Sequence, residues 1–158
     1  MIATLFVTLV AWTLSAQRNI ATGVNGFGAG IILGEPTGIN AKLVISPPAA
    51  FDIGLAWSFT DATRPGFSFV LYGDYLFHMF DLVKVPAGQL GFYCGVGGLV
   101  NLRPDNTAVT LRIPLGVTYV FANVPLDVFL ELVPGMQLFP ETRVAGFAGL
   151  GIRYWFKW

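Results

Sequence analysis

Residues Arg143–Trp158 read RVAGFAGLGIRYWFKW. From Val144 every second residue is apolar or small: Val144, Gly146, Ala148, Leu150, Ile152, Tyr154, Phe156 and Trp158. The set between them holds Arg143, Arg153 and Lys157 among alanine, glycine and aromatic residues. A period of two gives a strand with two different faces. The apolar face turns aromatic toward its end. In water, an open edge strand with such a face would invite aggregation. Facing lipid, the same pattern is a barrel strand running into an aromatic girdle.

Composition points the same way. The chain has 158 residues, of which 54% are hydrophobic, 15% aromatic and 11% charged. A soluble surface wants roughly 25–35% charged residues, so these are too few to coat a water-exposed body. Outside the N-terminus, polar residues, glycine or proline interrupt every apolar run before the ~18 residues that a membrane helix needs. The remaining membrane solution is a closed barrel, in which every backbone group finds a partner inside the sheet. Nine basic and nine acidic residues give a formal net charge of zero. With no basic stripe, a nucleic-acid partner is not expected. Cys94 stands alone on an apolar face, so it forms no intrachain disulfide and is expected to pack as a small hydrophobe.

Met1–Ala16, MIATLFVTLVAWTLSA, is an apolar run ending in small residues and followed by Gln17, Arg18 and Asn19. It reads as a cleaved signal peptide, although its first residues carry no Lys or Arg. The rest, 17–158, is expected to form a single barrel domain of eight antiparallel up-and-down strands. No repeat, linker or second domain is visible.

The alternating segments are Phe27–Leu33, Ile39–Ser46, Phe51–Phe59, Phe67–Phe77, Gln89–Asn101, Val109–Phe121, Leu126–Leu138 and the terminal stretch. Turn residues separate them at Gly34–Gly38, Pro47-Pro48, Thr60–Gly66, Arg103–Asn106 and Ala122–Pro125. His78–Gly88 reads as the longest connection. Pro114 and Pro134 fall inside strands, where a missing N–H should mark a bulge or broken pairing. Gly91, Gly95 and Gly97 share a face with Tyr93, leaving room there for neighbouring side chains.

Alternation alone does not say which face is outside. The scarcity of charge does. Lys42, Asp52, Asp74, Arg112, Asp127, Glu131 and Arg153 are too sparse for a water-facing coat and suit a narrow interior filled by side chains. With Asp127 set aside as lying near a strand end, three cations face three carboxylates, the balance that a sealed interior needs. If Thr60 pairs with Gly66, Asp52 lies opposite Asp74. A Lys or Arg should then insert between them, or one should hold a proton. Glu131 should lie diagonally from Arg153, and Tyr72 and Tyr93 should lend hydroxyls. The polar core reads first as a plug and alternatively as the lining of a narrow channel. Leu111, Ile113, Leu130 and Ile152 gathered in the centre, with Arg112, Glu131 and Arg153 in solvent, would contradict the whole reading.

Little else carries chemistry. His78 is the only histidine, so a His/Cys metal site lacks partners, and it reads as a polar residue at a strand end. Ser68 shares its face, but ten residues along one strand put the two about 33 Å apart, too far for a nucleophile and its base. Gly26–Gly30 precedes no helix and is no dinucleotide fingerprint. No catalytic residue, cofactor or metal is expected. The connections are too short for an adhesin.

The ending, with Leu150, Ile152, Tyr154, Phe156 and Trp158 in alternation, resembles the last strand of bacterial outer-membrane barrels. In those proteins a terminal aromatic after alternating apolar residues is read by the barrel-assembly machinery. The chain also looks like the OmpA transmembrane domain and OmpX-type proteins. It is similar, too, to a family of small outer-membrane barrels with GEPTG early, an aspartate-tyrosine pair mid-chain and a GIRYxF ending, here Gly34–Gly38, Asp74-Tyr75 and Gly151–Phe156. The resemblance implies an outer-membrane location, lipid as surroundings, the assembly machinery as a partner during biogenesis and a monomeric state. A lipid-modifying enzyme of this architecture would show a Ser/His pair in its last strands, and none is present.

Overall fold

In the computed structural model, residues 26–58, 68–83, 85–104 and 106–156 are described. They form β1 (Phe27–Glu35), β2 (Thr37–Ser46), β3 (Ala49–Ser58), β4 (Ser68–Val83), β5 (Gly88–Leu102), β6 (Thr107–Arg112), β7 (Leu115–Phe121), β8 (Leu126–Phe139) and β9 (Arg143–Phe156). Every pairing is antiparallel, and β1 pairs with β9 from Phe27↔Phe156 to Glu35↔Ala148, which closes the sheet into a ring. The expected signal segment Met1–Ala16, the turn Thr60–Gly66 and the terminal Trp158 lie outside the described residues.

The strands β6 and β7 are two halves of one stave. Both pair with β5 and with β8, and the register runs through the gap: Arg112 faces Gly97 and Gly135, while Leu115 faces Cys94 and Leu132. The ring therefore has eight staves, the number read from the sequence. The gap is a proline effect. Ile113 N donates to Pro134 O at 2.9 Å, and Gly95 N donates to Pro114 O at 2.9 Å. The return bonds are missing because neither proline has an N–H. Pairing is thus broken at Pro114 without a bulge. At Pro134 the register to β9 continues unshifted from Val133↔Phe147 to Gly135↔Ala145. Irregular register falls instead at Val44/Ser46, Met79/Val83 and Val109/Thr110.

Side chains sort by parity. Leu111 and Ile113 are 44% and 47% exposed, and Arg112 between them is 2% exposed. Leu130 and Ile152 are exposed, whereas Glu131 and Arg153 are buried. Oily residues therefore cover the outside, and ionic ones fill the middle. Cys94 is exposed on the outer face. Near the end where β1 begins and β9 finishes, outward aromatic rings touch in groups: Phe27 with Phe156, Tyr154 with Phe156, Phe51 with Tyr75 and Tyr119 with Phe121, at centroid distances of 5.0–5.8 Å. At the far end Trp57 and Phe69 lie opposite one another on the outer face.

The connection expected at His78–Gly88 is shorter than that, because β4 runs on to Val83. His78 keeps the inward parity of Asp74 and Leu76 and is buried. A lone imidazole reads in sequence as a strand end, but here it is bonded within the barrel. The first turn is tight. Gly34, at φ +147°, takes a conformation that favours glycine. Thr37 Oγ1 accepts from Gly34 N at 3.0 Å and donates to Gly34 O at 2.7 Å.

Candidate functional site

The interior is layered. A polar belt lies at mid-height between two apolar layers. On the side where β1 begins and β9 finishes, Val44, Pro48, Phe80, Val120 and Trp155 leave a space of about 20 Å³, room for no more than a water. On the other side Ala56, Val70, Tyr72 and Leu99 pack together with Phe147 against them.

One half of the belt is built on Arg112. Its Nη2 donates to Glu131 Oε1 at 3.1 Å, and its Nε lies 3.2 Å from Asp74 Oδ1, an ion pair not aligned as a hydrogen bond. The guanidinium lies over the Tyr72 ring at 4.3 Å, a cation–π contact. Tyr93 Oη donates to Glu131 Oε2 at 2.8 Å. The other half is built on Arg153. Its Nε donates to Asp127 Oδ1 at 3.1 Å, its Nη2 to Asp127 Oδ2 at 3.1 Å and its Nη1 to Asn40 Oδ1 at 3.2 Å. Its Cζ lies 3.9 Å from the Phe129 ring centroid. Asn40 Nδ2 donates to both oxygens of Asp52 at 2.8 Å, and Thr118 Oγ1 donates to Asp127 Oδ2 at 3.2 Å. The halves meet where Asp52 faces Asp74 across β3 and β4.

The expected facing of Asp52 and Asp74 is present, but no single cation stands between them. Each has its own: Arg112 for Asp74, and Arg153 at 3.7 Å for Asp52. Lys42 lies opposite Asp52, yet its Nζ turns away to donate to His78 Nε2 at 3.3 Å and sits 4.5 Å above the Tyr93 ring. A lysine ammonium only donates, so His78 Nε2 must accept. The ring proton then sits on Nδ1, which donates to Pro48 O at 3.2 Å.

The expected neighbour of Glu131 is corrected. Glu131 faces Gly149, and Arg153 faces Asp127 four residues further along β9. Asp127, set aside in the sequence reading, is the main partner of Arg153. Among the described residues the belt thus encloses four buried carboxylates and three cations, not three of each. Asn40, Thr118 and His78 were also missed as members. Parity would have found them, since each shares the inward face of a residue already assigned to the interior.

Glycines let these long side chains reach across a strand. Gly54 sits between Asn40 and Tyr72, and the Tyr72 ring lies across it, which brings Tyr72 Oη within 3.4 Å of Asn40 Nδ2. Gly116 sits between Tyr93 and Glu131 in the same way, and Gly97 between Asp74 and Arg112. A methyl group on any of the three would overlap the neighbour that bridges it.

Of the residues read as an assembly signal, Leu150, Ile152, Tyr154 and Phe156 point outward in β9. Among the described residues no group of three or more His, Cys, Asp or Glu is placed to hold a metal ion.

A solved structure, the N-terminal β-barrel domain of OprF from Pseudomonas aeruginosa, matches this fold with a TM-score of 0.60. The match covers 84% of this chain and 98% of that one, at 14% identity. At that identity the likeness is one of fold: a closed antiparallel ring of eight strands. No protein-family model matches the chain, and no curated protein matches it in sequence.

Proposed function

We propose that this chain is a structural integral protein of the bacterial outer membrane, a barrel plugged by its own polar side chains and without catalytic activity. The observation that carries this reading is the inverted polarity of the sheet. A water-soluble barrel would not leave Leu130, Leu132, Ile152 and Ile53 bare while hiding three cations and four carboxylates. Lipid around the outer face resolves that cost, and the grouped aromatic rings suit an interface girdle.

Support for a plug, rather than a pore, comes from the belt. Arg112, Arg153 and Lys42 are 1–2% exposed, which leaves no water-filled column beside them. The apolar layer at each end of the belt adds a barrier that ions cross poorly. On this reading Met1–Ala16 is a cleaved signal peptide, 17–158 is the barrel domain, and the mature protein is a monomer surrounded by lipid. The alternating end of β9, with Trp158, serves recognition by the barrel-assembly machinery. The likeness to OmpA-type barrels and to the GEPTG/GIRYxF family belongs to the same proposal.

Single-channel recording in planar bilayers tests it. The plug predicts no steady openings. Steady openings that vanish in Arg112→Ala or Glu131→Ala would replace it with the second reading, a narrow channel for ions or small solutes. Lipid A analysis with and without the protein tests for a lipid-modifying activity. Heat-dependent gel mobility after detergent extraction from outer membranes tests the closed membrane barrel itself, and purification as a free monomer without detergent would refute it.

A further inference from the structure

At the end of the barrel where β1 finishes and β9 begins the interior opens into a cavity of about 310 Å³. That volume lies at the lower end of small-molecule sites. Val70, Leu99, Ala108 and Phe147 make part of its wall apolar, beside Asn101 and Thr110. Its rim is polar, and one rim group is held in place with capacity to spare. Arg143 Nε donates to Gln137 Oε1 at 3.2 Å, and Gln137 Nε2 donates to the Glu141 carbonyl at 3.2 Å. Gln137 is itself buried at 6% exposure. This relay fixes the guanidinium by its Nε edge. The two terminal nitrogens make no hydrogen bond or ion pair among the described residues, and Arg143 lines the cavity. On the wall Asn101, 8% exposed, has an amide oxygen without a partner.

We propose that this cavity binds a small monocarboxylate with a compact apolar body. The Arg143 fork matches a planar carboxylate with two parallel N–H···O bonds. Leu99 and Phe147 cover the body, and the Asn101 oxygen accepts from a ligand hydroxyl. Charge selects a single anion. Among the described residues the charged groups lining the cavity are Arg103, Arg143 and Glu35, a formal sum of one positive charge. The Glu35 carboxylate, which accepts from Ser58 Oγ, stands against a dianionic phosphate. This site is separate from the belt and does not depend on whether the middle conducts.

The test is equilibrium dialysis of the detergent-extracted protein against benzoate, 4-hydroxybenzoate, phenyl phosphate and benzyl alcohol, with empty micelles as the blank. Saturable binding of both carboxylates above the blank is expected, with phenyl phosphate and benzyl alcohol weaker. Arg143→Gln should weaken benzoate about tenfold or more, as loss of a charge-assisted pair does. Arg143→Lys should restore part of it. Heat-dependent gel mobility verifies that each variant is folded, and Arg143, exposed at a strand end, is a safe position to change. No benzoate uptake beyond empty micelles would overturn the proposal. So would uptake unchanged in folded Arg143→Gln, or benzyl alcohol or phenyl phosphate binding as tightly as benzoate.

Discussion

Asp127 and Arg153 lie directly opposite on β8 and β9, and three nitrogen–oxygen contacts of 3.1–3.3 Å join them. Both are 1% exposed, so each relies on the other to replace water. Removing one partner leaves a buried charge with too little compensation. Asp127→Asn and Arg153→Met are each expected to lower stability by about 3–5 kcal/mol, read as a fall in the urea midpoint of the protein folded in vesicles. The double variant should cost less than the sum, because the two residues share one network. A loss under about 1 kcal/mol in both single variants, the range of exposed pairs, would contradict an enclosed belt.

The sequence reading missed this pair for a reason of register. Period-two alternation shows which residues share a face, and every cation and carboxylate assigned inward does point inward. A turn that pairs Thr60 with Gly66 would set Asp52 against Asp74, and the two do face one another. Alternation did not fix β8 against β9. There, Gln137 faces Arg143, which carries Arg153 past Glu131 to Asp127. Two residues of register decide the partner, and nothing local in 139–142 states them. The direction a long side chain takes along the wall was equally hidden. Lys42 turning to His78 depends on Tyr93, which arrives from another strand.

The bridging glycines give a second prediction, one that separates the two faces. Gly54→Ala and Gly116→Ala place a methyl group inside the rings of Tyr72 and Tyr93. The rings must swing away, and their hydroxyls lose Asn40 and Glu131. A loss of about 1–3 kcal/mol each is expected from overpacking. Gly73 is the internal control. It faces outward, where an added methyl meets only Ile53 Cγ2 at 3.9 Å, and Gly73→Ala should be close to neutral. Equal losses at all three positions would mean that backbone strain, not side-chain room, explains the glycines.

The outer face gives a third. Leu130 and Ile152 are exposed near mid-height, in the region that lipid would cover. Leu130→Arg should cost roughly 2–4 kcal/mol in a bilayer, the penalty for a cation at mid-depth on a barrel. The same change on a water-covered strand would fall within about 0.5 kcal/mol. Urea unfolding of wild type and variant in vesicles distinguishes these. A neutral result would remove the main support for a lipid-facing surface.

The proline seam gives the last. Ile113 and Pro134 form a pair with one ladder bond instead of two, because Pro134 cannot donate back to the Ile113 carbonyl. Beside it, Pro114 leaves the Gly95 carbonyl in the same condition. In water such a carbonyl would take a solvent bond; in the bilayer proposed above it would find none, and the lost bond would then weigh more than in a soluble sheet. Pro134 projects outward and is exposed, whereas the Pro114 ring is packed inside. Replacing Pro134 therefore changes the ladder with little repacking, and valine suits a strand. Pro134→Val restores an N–H aimed at Ile113. It also frees the unfolded chain, which costs about 0.4–1 kcal/mol. The bond outweighs this where no water competes, so a net gain of about 1 kcal/mol is expected. It would be read as a higher urea midpoint in vesicles and as slower amide exchange at position 134 than at the outward-facing ends of β8. Pro114→Val, forced to repack the interior, should gain less or lose. A lower midpoint for Pro134→Val with the folded gel mobility intact would mean that the seam is held by something other than the hydrogen bond it lacks.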